Sequence, residues 1–222
     1  MKRLALLFFL LASDPVFAQF EGVIESKNVT VDENGLQQEF TMTMEVKGTM
    51  ARIVTSAVAN TPAVTMIYRT DLKRIWMIND EEKTYFEVSQ SDEGGDVRVP
   101  EGKEEKAVIK KTGKTKKILG YPCELYIVRR SDAETQIWGT KKLASLAQAL
   151  QKALGQEQNG KGSEWTDDLA RIGVFPLSAS TRVGSEVVES QEVTRIERRE
   201  LPPELFAIPA GYKKQTVGEM LK

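Results

Sequence analysis

Alternation of apolar and polar side chains along residues 38–47 sets the tightest limit on what this chain can fold into. Phe40, Met42, Met44 and Val46 interleave with Glu39, Thr41, Thr43, Glu45 and Lys47. A period of two is met by an extended strand with one dry face and one wet face. Residues 20–31 form a second such segment, closed by Asp32-Glu-Asn34-Gly35, and Asn-Gly is a strong hairpin signal because both residues tolerate positive φ. Further strand patterns follow at 50–58, 63–69, 74–79 and 84–88, separated by short turns, which makes them antiparallel neighbours in a meander. Ile75-Trp-Met-Ile78 is apolar throughout, so that strand is expected to be covered on both faces. Residues 89–106, with Gly94-Gly95 and Pro100, read as a long exposed loop. A hairpin of 107–111 and 115–119 then turns at Gly113-Lys114, and strands at 123–130 and 133–140 follow.

The period then changes. Leu143, Leu146, Ala147, Leu150 and Leu154 share one face of a helix that Thr140 can start and Gly155 can end. A polar link at 156–162 leads to a second short helix at 163–171, with Trp165, Leu169 and Ile172 on one side. Strand patterns return at 174–183 and 186–200. Ten or eleven strands with short connections make a mainly β protein: one large curved antiparallel sheet, a half-open barrel. The two short amphipathic helices bury their stripes by packing on or over its concave face.

Residues 1–18 carry an address. Lys2 and Arg3 precede the apolar run Leu4–Ala12, Ser13-Asp14-Pro15 breaks it, and Val16-Phe17-Ala18 offers small residues for cleavage between Ala18 and Gln19. The run is too short to cross a hydrocarbon layer of about 30 Å. The expectation is a secretory signal followed by one domain, 19–222, periplasmic or secreted, and not membrane-spanning once processed.

Composition narrows the chemistry. The chain has no histidine and one cysteine, which excludes His-based triads, zinc-protease helices and intrachain disulfides. No catalytic residue, metal site or cofactor is expected. With 31 basic and 32 acidic residues there is no global pull toward nucleic acid. Gly113-Lys114-Thr115 lacks the upstream glycine of a phosphate loop, that position being Val108. Asp167-Asp168, Glu81-Glu82 and Glu104-Glu105 sit in polar, turn-like or helix-surface contexts. Cys123, inside a strand pattern, reads as a small buried hydrophobe.

Phe20-Glu-Gly, Lys111-Thr-Gly-Lys114, Leu119-Gly-Tyr-Pro-Cys-Glu-Leu-Tyr126 and Leu205-Phe-Ala-Ile-Pro-Ala-Gly-Tyr-Lys213 occur in that order. Together they resemble the bacterial secreted family catalogued as domain of unknown function 4412, grouped with lipoprotein carriers of the LolA and LolB type. The resemblance implies an unclosed barrel under a helical lid, with an apolar cavity for acyl chains. No motif here carries over a functional residue of those carriers.

The candidate binding surface is therefore the soft apolar face. It comprises Phe40, Met42, Met44, Met66, Tyr68, Trp76 and Trp138, gated by Leu143, Leu146 and Leu150. Such a surface would hold a lipid, an acyl chain or a lipoprotein without catalysis. The alternative is an interaction or structural module of the cell envelope. It would have a packed core and dock a protein through an exposed sheet face or the Lys-rich hairpin 103–117.

Overall fold

In the computed structural model the described residues are 20–32, 34–59, 61–89, 108–154 and 169–216. The alternating segments become β1 (Glu21–Val31), β2 (Gln37–Lys47), β3 (Met50–Thr55), β4 (Val64–Arg69), β5 (Arg74–Asn79) and β6 (Thr84–Ser89). β7 (Val108–Ile118), β8 (Tyr121–Arg130) and β9 (Ala133–Thr140) precede α1 (Ala144–Leu154). β10 (Phe175–Val183), β11 (Glu186–Arg198) and the short β12 (Lys213–Lys214) complete the described strands. All twelve strands join one open sheet in the order β12-β6-β5-β4-β3-β2-β1-β11-β10-β9-β8-β7. Every pairing is antiparallel except β12 with β6. Two meanders, β1–β6 and β7–β11, meet at a central seam between β1 and β11. Gly22 lies on that seam because a Cβ there would sit 2.1 Å from the Glu197 carbonyl oxygen, which accounts for the glycine of Phe20-Glu-Gly.

α1 shows that the sheet curls. It packs against β2, β3 and β4 and also against β10. On a flat sheet β4 and β10 would lie about 24 Å apart, five strand spacings, whereas eleven helical residues extend about 16 Å. A trough brings both within reach. Thr140, almost fully buried, starts the helical segment as expected, its Oγ1 accepting from the Lys142 N–H at 3.2 Å. Leu143, Leu146, Ala147, Ala149 and Ala153 are buried against Ile24, Val46 and Ala51, so the helical stripe points into the sheet. Of the second helix, 169–171 are described and helical, with Leu169 buried against Tyr126 and Ile137. No helix among the described residues is long and apolar enough to cross a membrane.

Two expectations need revision. The lysine-rich segment is not a hairpin turning at Gly113-Lys114. It is one strand, β7, with an irregularity between Lys111 and Thr115 where Gly113 takes φ +80° and the Thr112 hydroxyl donates to the Leu125 carbonyl at 3.0 Å. Its residues 103–107, the 90–106 loop and the 1–18 address lie outside the described residues. The described residues hold twelve strands rather than ten or eleven, because Lys213–Lys214 add an unanticipated parallel strand to β6. Residues 201–212, to which the sequence pattern assigns no element, pack against the sheet. Leu201 and Phe206 are fully buried on the outer face with Val23, Ile67, Trp76 and Ile78.

Candidate functional site

Cross-strand register assigns each side chain of β1–β6 to a face. One continuous row runs Ile24, Met44, Ile53, Met66, Met77, Phe86. Beside it runs Val46, Ala51, Tyr68, Ile75, Val88, and on the other side Ser26, Met42, Thr55, Val64, with Phe40 opposite Asn28 beyond. None of these residues is charged. The opposite face of the same strands carries Val23, Glu45, Arg52, Ile67, Trp76 and Glu87 in one row and Glu21, Lys47, Met50, Arg69 and Arg74 in another. Charge is thus confined to the outside of the trough over six strands.

α1 covers only part of the inner face. Met44 and Tyr68 pack against the buried cluster under the helix, as does the half-buried Leu150. Met66, Met77 and Phe86 lie outside that cluster and remain half-buried, and Val88 is 50% exposed. Phe40 and Met42 are likewise half-buried. The Tyr68 hydroxyl donates to Met66 Sδ at 3.7 Å, and burial raises its pKa above the ordinary phenol value. The helix is tied down at its far end, where the Thr70 hydroxyl donates to the Ala153 carbonyl at 2.6 Å. That bond satisfies one of the carbonyls a helix C-terminus leaves open.

The structure therefore brings Phe40, Met42, Met44, Met66 and Tyr68 onto one face and sets Leu143, Leu146 and Leu150 over it. Trp76 is not among them. It points outward, its Nε1 donating to Glu87 at 2.9 Å, with the Arg69 guanidinium 5.7 Å from the ring centroid. Residues Ile75–Ile78 are apolar throughout, so that stretch of sequence holds no polar position to set the phase. Met77, Ile53 and Phe86, missing from the sequence-derived set, take the place intended for Trp76. Trp138 is half-buried at the edge of the same cluster, with Lys116 Nζ 4.4 Å from its ring centroid. Cys123 is fully buried, and desolvation pushes its thiol pKa up.

The outer face is held by a C-terminal strap. Leu201 N–H donates to Glu21 at 2.7 Å, and Lys47 bridges Glu21 at 2.9 Å and the Leu201 carbonyl at 2.7 Å. Arg69 donates to the Phe206 carbonyl at 3.2 Å, and Tyr212 to Asp80 at 2.7 Å. Glu87 accepts from Lys214 at 2.8 Å, from Trp76, and from Arg74. The Leu201 amide and Lys47 hold the Glu21 carboxyl below the usual carboxylate range; Lys214 and Trp76 do the same for Glu87.

Among solved structures, an uncharacterized conserved protein from Thermus thermophilus matches over 88% of this chain and 90% of its own, at 9% identity and a TM-score of 0.51. This likeness shows a shared fold. PNGF-II matches 90% of this chain at 13% identity and a TM-score of 0.40, the chain spanning 32% of that protein. A LolA superfamily protein from Nitrosomonas europaea matches 86% of this chain and 91% of its own at 9% identity and a TM-score of 0.36. No curated protein sequence matches the chain. The family model described as a domain of unknown function, DUF4412, matches residues 20–212, and the chain belongs to that family.

Proposed function

We propose that this protein is an exported, non-enzymatic carrier that holds an acyl chain or another lipid moiety between the inner face of its sheet and α1. The observation that carries the reading is the uncharged Met- and Phe-rich inner face, closed by the helix on one side and left half-exposed at Met66, Met77 and Phe86. Methionines are unbranched and adaptable, so the floor can reshape around flexible apolar guests of differing length. A charged head group would remain at the rim, because the floor offers it no counter-ion. Export rests on the address in residues 1–18, and the resemblance to lipoprotein carriers points to the bacterial periplasm.

Native mass spectrometry of protein purified from its own compartment tests this, together with titration of a fluorescent long-chain acyl probe. Hydrophobic mass should co-purify. Met66→Glu and Met77→Glu, each placing a charge on the floor, should weaken probe binding at least about tenfold while the circular dichroism of the sheet is kept. Absence of both co-purified lipid and probe binding in the wild-type protein would overturn the proposal.

A further inference from the structure

The two margins of the sheet are finished differently. At one, the chain's own Lys213–Lys214 pair with β6. At the other, β7 ends the strand order and pairs only with β8. Its 11 residues therefore leave a line of backbone N–H and C=O groups without ladder partners among the described residues. This strand holds Lys110, Lys111, Lys114, Lys116 and Lys117 and no acidic residue. Lys111 pairs with Glu124 at 2.7 Å, and Lys116 lies over Trp138. Lys110, Lys114 and Lys117 are exposed and have no ion pair among the described residues.

Register distributes the lysines over both faces. Lys110 and Lys116 stand opposite Ile127 and Cys123, whereas Lys111 and Lys117 stand opposite Tyr126 and Pro122. A flat anionic surface laid against either face would meet only one pair. A segment added along the edge would meet both pairs, and would also satisfy the unpaired backbone groups. A second copy of β7 would bring lysine against lysine, which is repulsive.

We infer that the β7 edge is a docking site for an extended acidic segment of a partner protein, added as a thirteenth strand. Because lysines occupy both faces, the segment that fits carries Asp or Glu at successive positions rather than alternate ones. The irregularity between Lys111 and Thr115 divides the edge, so the partner is read by two short ladders, 108–111 and 115–118, on either side of a kink. This inference does not depend on the lipid-carrier reading.

The probe is a synthetic peptide of about ten residues, a strand's length, rich in consecutive Asp and Glu. Binding is followed by fluorescence anisotropy, and amide protection by hydrogen exchange. The peptide should bind in a salt-sensitive manner and slow exchange in 108–118. The triple variant Lys110→Glu, Lys114→Glu, Lys117→Glu should lose at least about tenfold in affinity with its thermal midpoint kept. A peptide of the same charge, N-methylated at alternate residues, should also bind more weakly, since it cannot complete a ladder. Equal binding of the N-methylated peptide, unchanged affinity of the triple variant, or no protection in 108–118 would each overturn the inference. So would tighter binding to phosphatidylglycerol vesicles than to the peptide, which would make the strip a membrane contact instead.

Discussion

Replacing Thr70 with valine tests whether α1 is a hinged cover or a fixed part of the core. The side chain keeps its shape and loses one hydrogen bond, the 2.6 Å contact with the Ala153 carbonyl. A typical intramolecular hydrogen bond contributes about 0.5–1.5 kcal/mol, more when the abandoned partner stays dry. Thr70 is half-buried, but Ala153 is fully buried, so the freed carbonyl is left dry while the helix stays docked. The cost should then be about 2 kcal/mol, roughly a thirtyfold shift toward the undocked helix. Hydrogen exchange read peptide by peptide is the assay. Amides of 144–154 should exchange roughly thirtyfold faster while those of β1, β2 and β11 are unchanged. If an acyl probe enters through the undocked state, its association and dissociation rates should both rise by that factor and its Kd should barely move. Exchange that accelerates equally throughout the sheet would refute a local latch, and unchanged exchange in α1 would refute any role for the bond.

Two further expectations concern the strap. Phe206→Ala, at a fully buried side chain, should destabilise the protein by about 3–5 kcal/mol, measured by chemical denaturation; a loss within the error of the measurement would mean that the strap is not part of the cooperative core. Glu21 and Glu87 have lowered pKa values, so their stabilising contribution is complete above the unfolded carboxylate value and is lost as pH falls through the folded ones. The denaturation midpoint should hold from neutral pH to roughly pH 5 and then decline. Glu87→Gln should flatten that decline, and an identical slope in the variant would remove Glu87 from the account.

The fold was legible wherever one face of a strand is wet. In β2 the alternation of Phe40, Met42, Met44 and Val46 with charged and hydroxylated residues fixed both strand type and phase, and the inner face follows from it. The helical period at Leu143, Leu146 and Leu150 was equally plain, because Ser145, Gln148 and Lys152 mark a polar face away from it. Legibility failed where that contrast disappears. Trp76 sits in a run that is apolar on both sides, so no local feature says which way its indole points; its outward direction is set by Glu87 and by a strap far along the chain. The strap itself carries Pro202, Pro203 and Pro209 and no period, and its burial is decided by the outer face it meets. Gly113-Lys114 looked like a hairpin turn because a glycine with positive φ serves a bulge in an edge strand just as well.

The seam between β1 and β11 constrains how this protein can assemble. Gly22 pairs with Arg198, so the two strands that join the meanders come from nearly opposite ends of the polypeptide. Closing so long a loop costs about 5 kcal/mol in chain entropy before any of the pairing is gained, and topologies dominated by such distant contacts form slowly. Each meander can build locally, but neither can wrap around α1 until the other arrives. A polypeptide of this design stays incomplete until both β1 and β11 are available, so the trough around α1 closes as one late event.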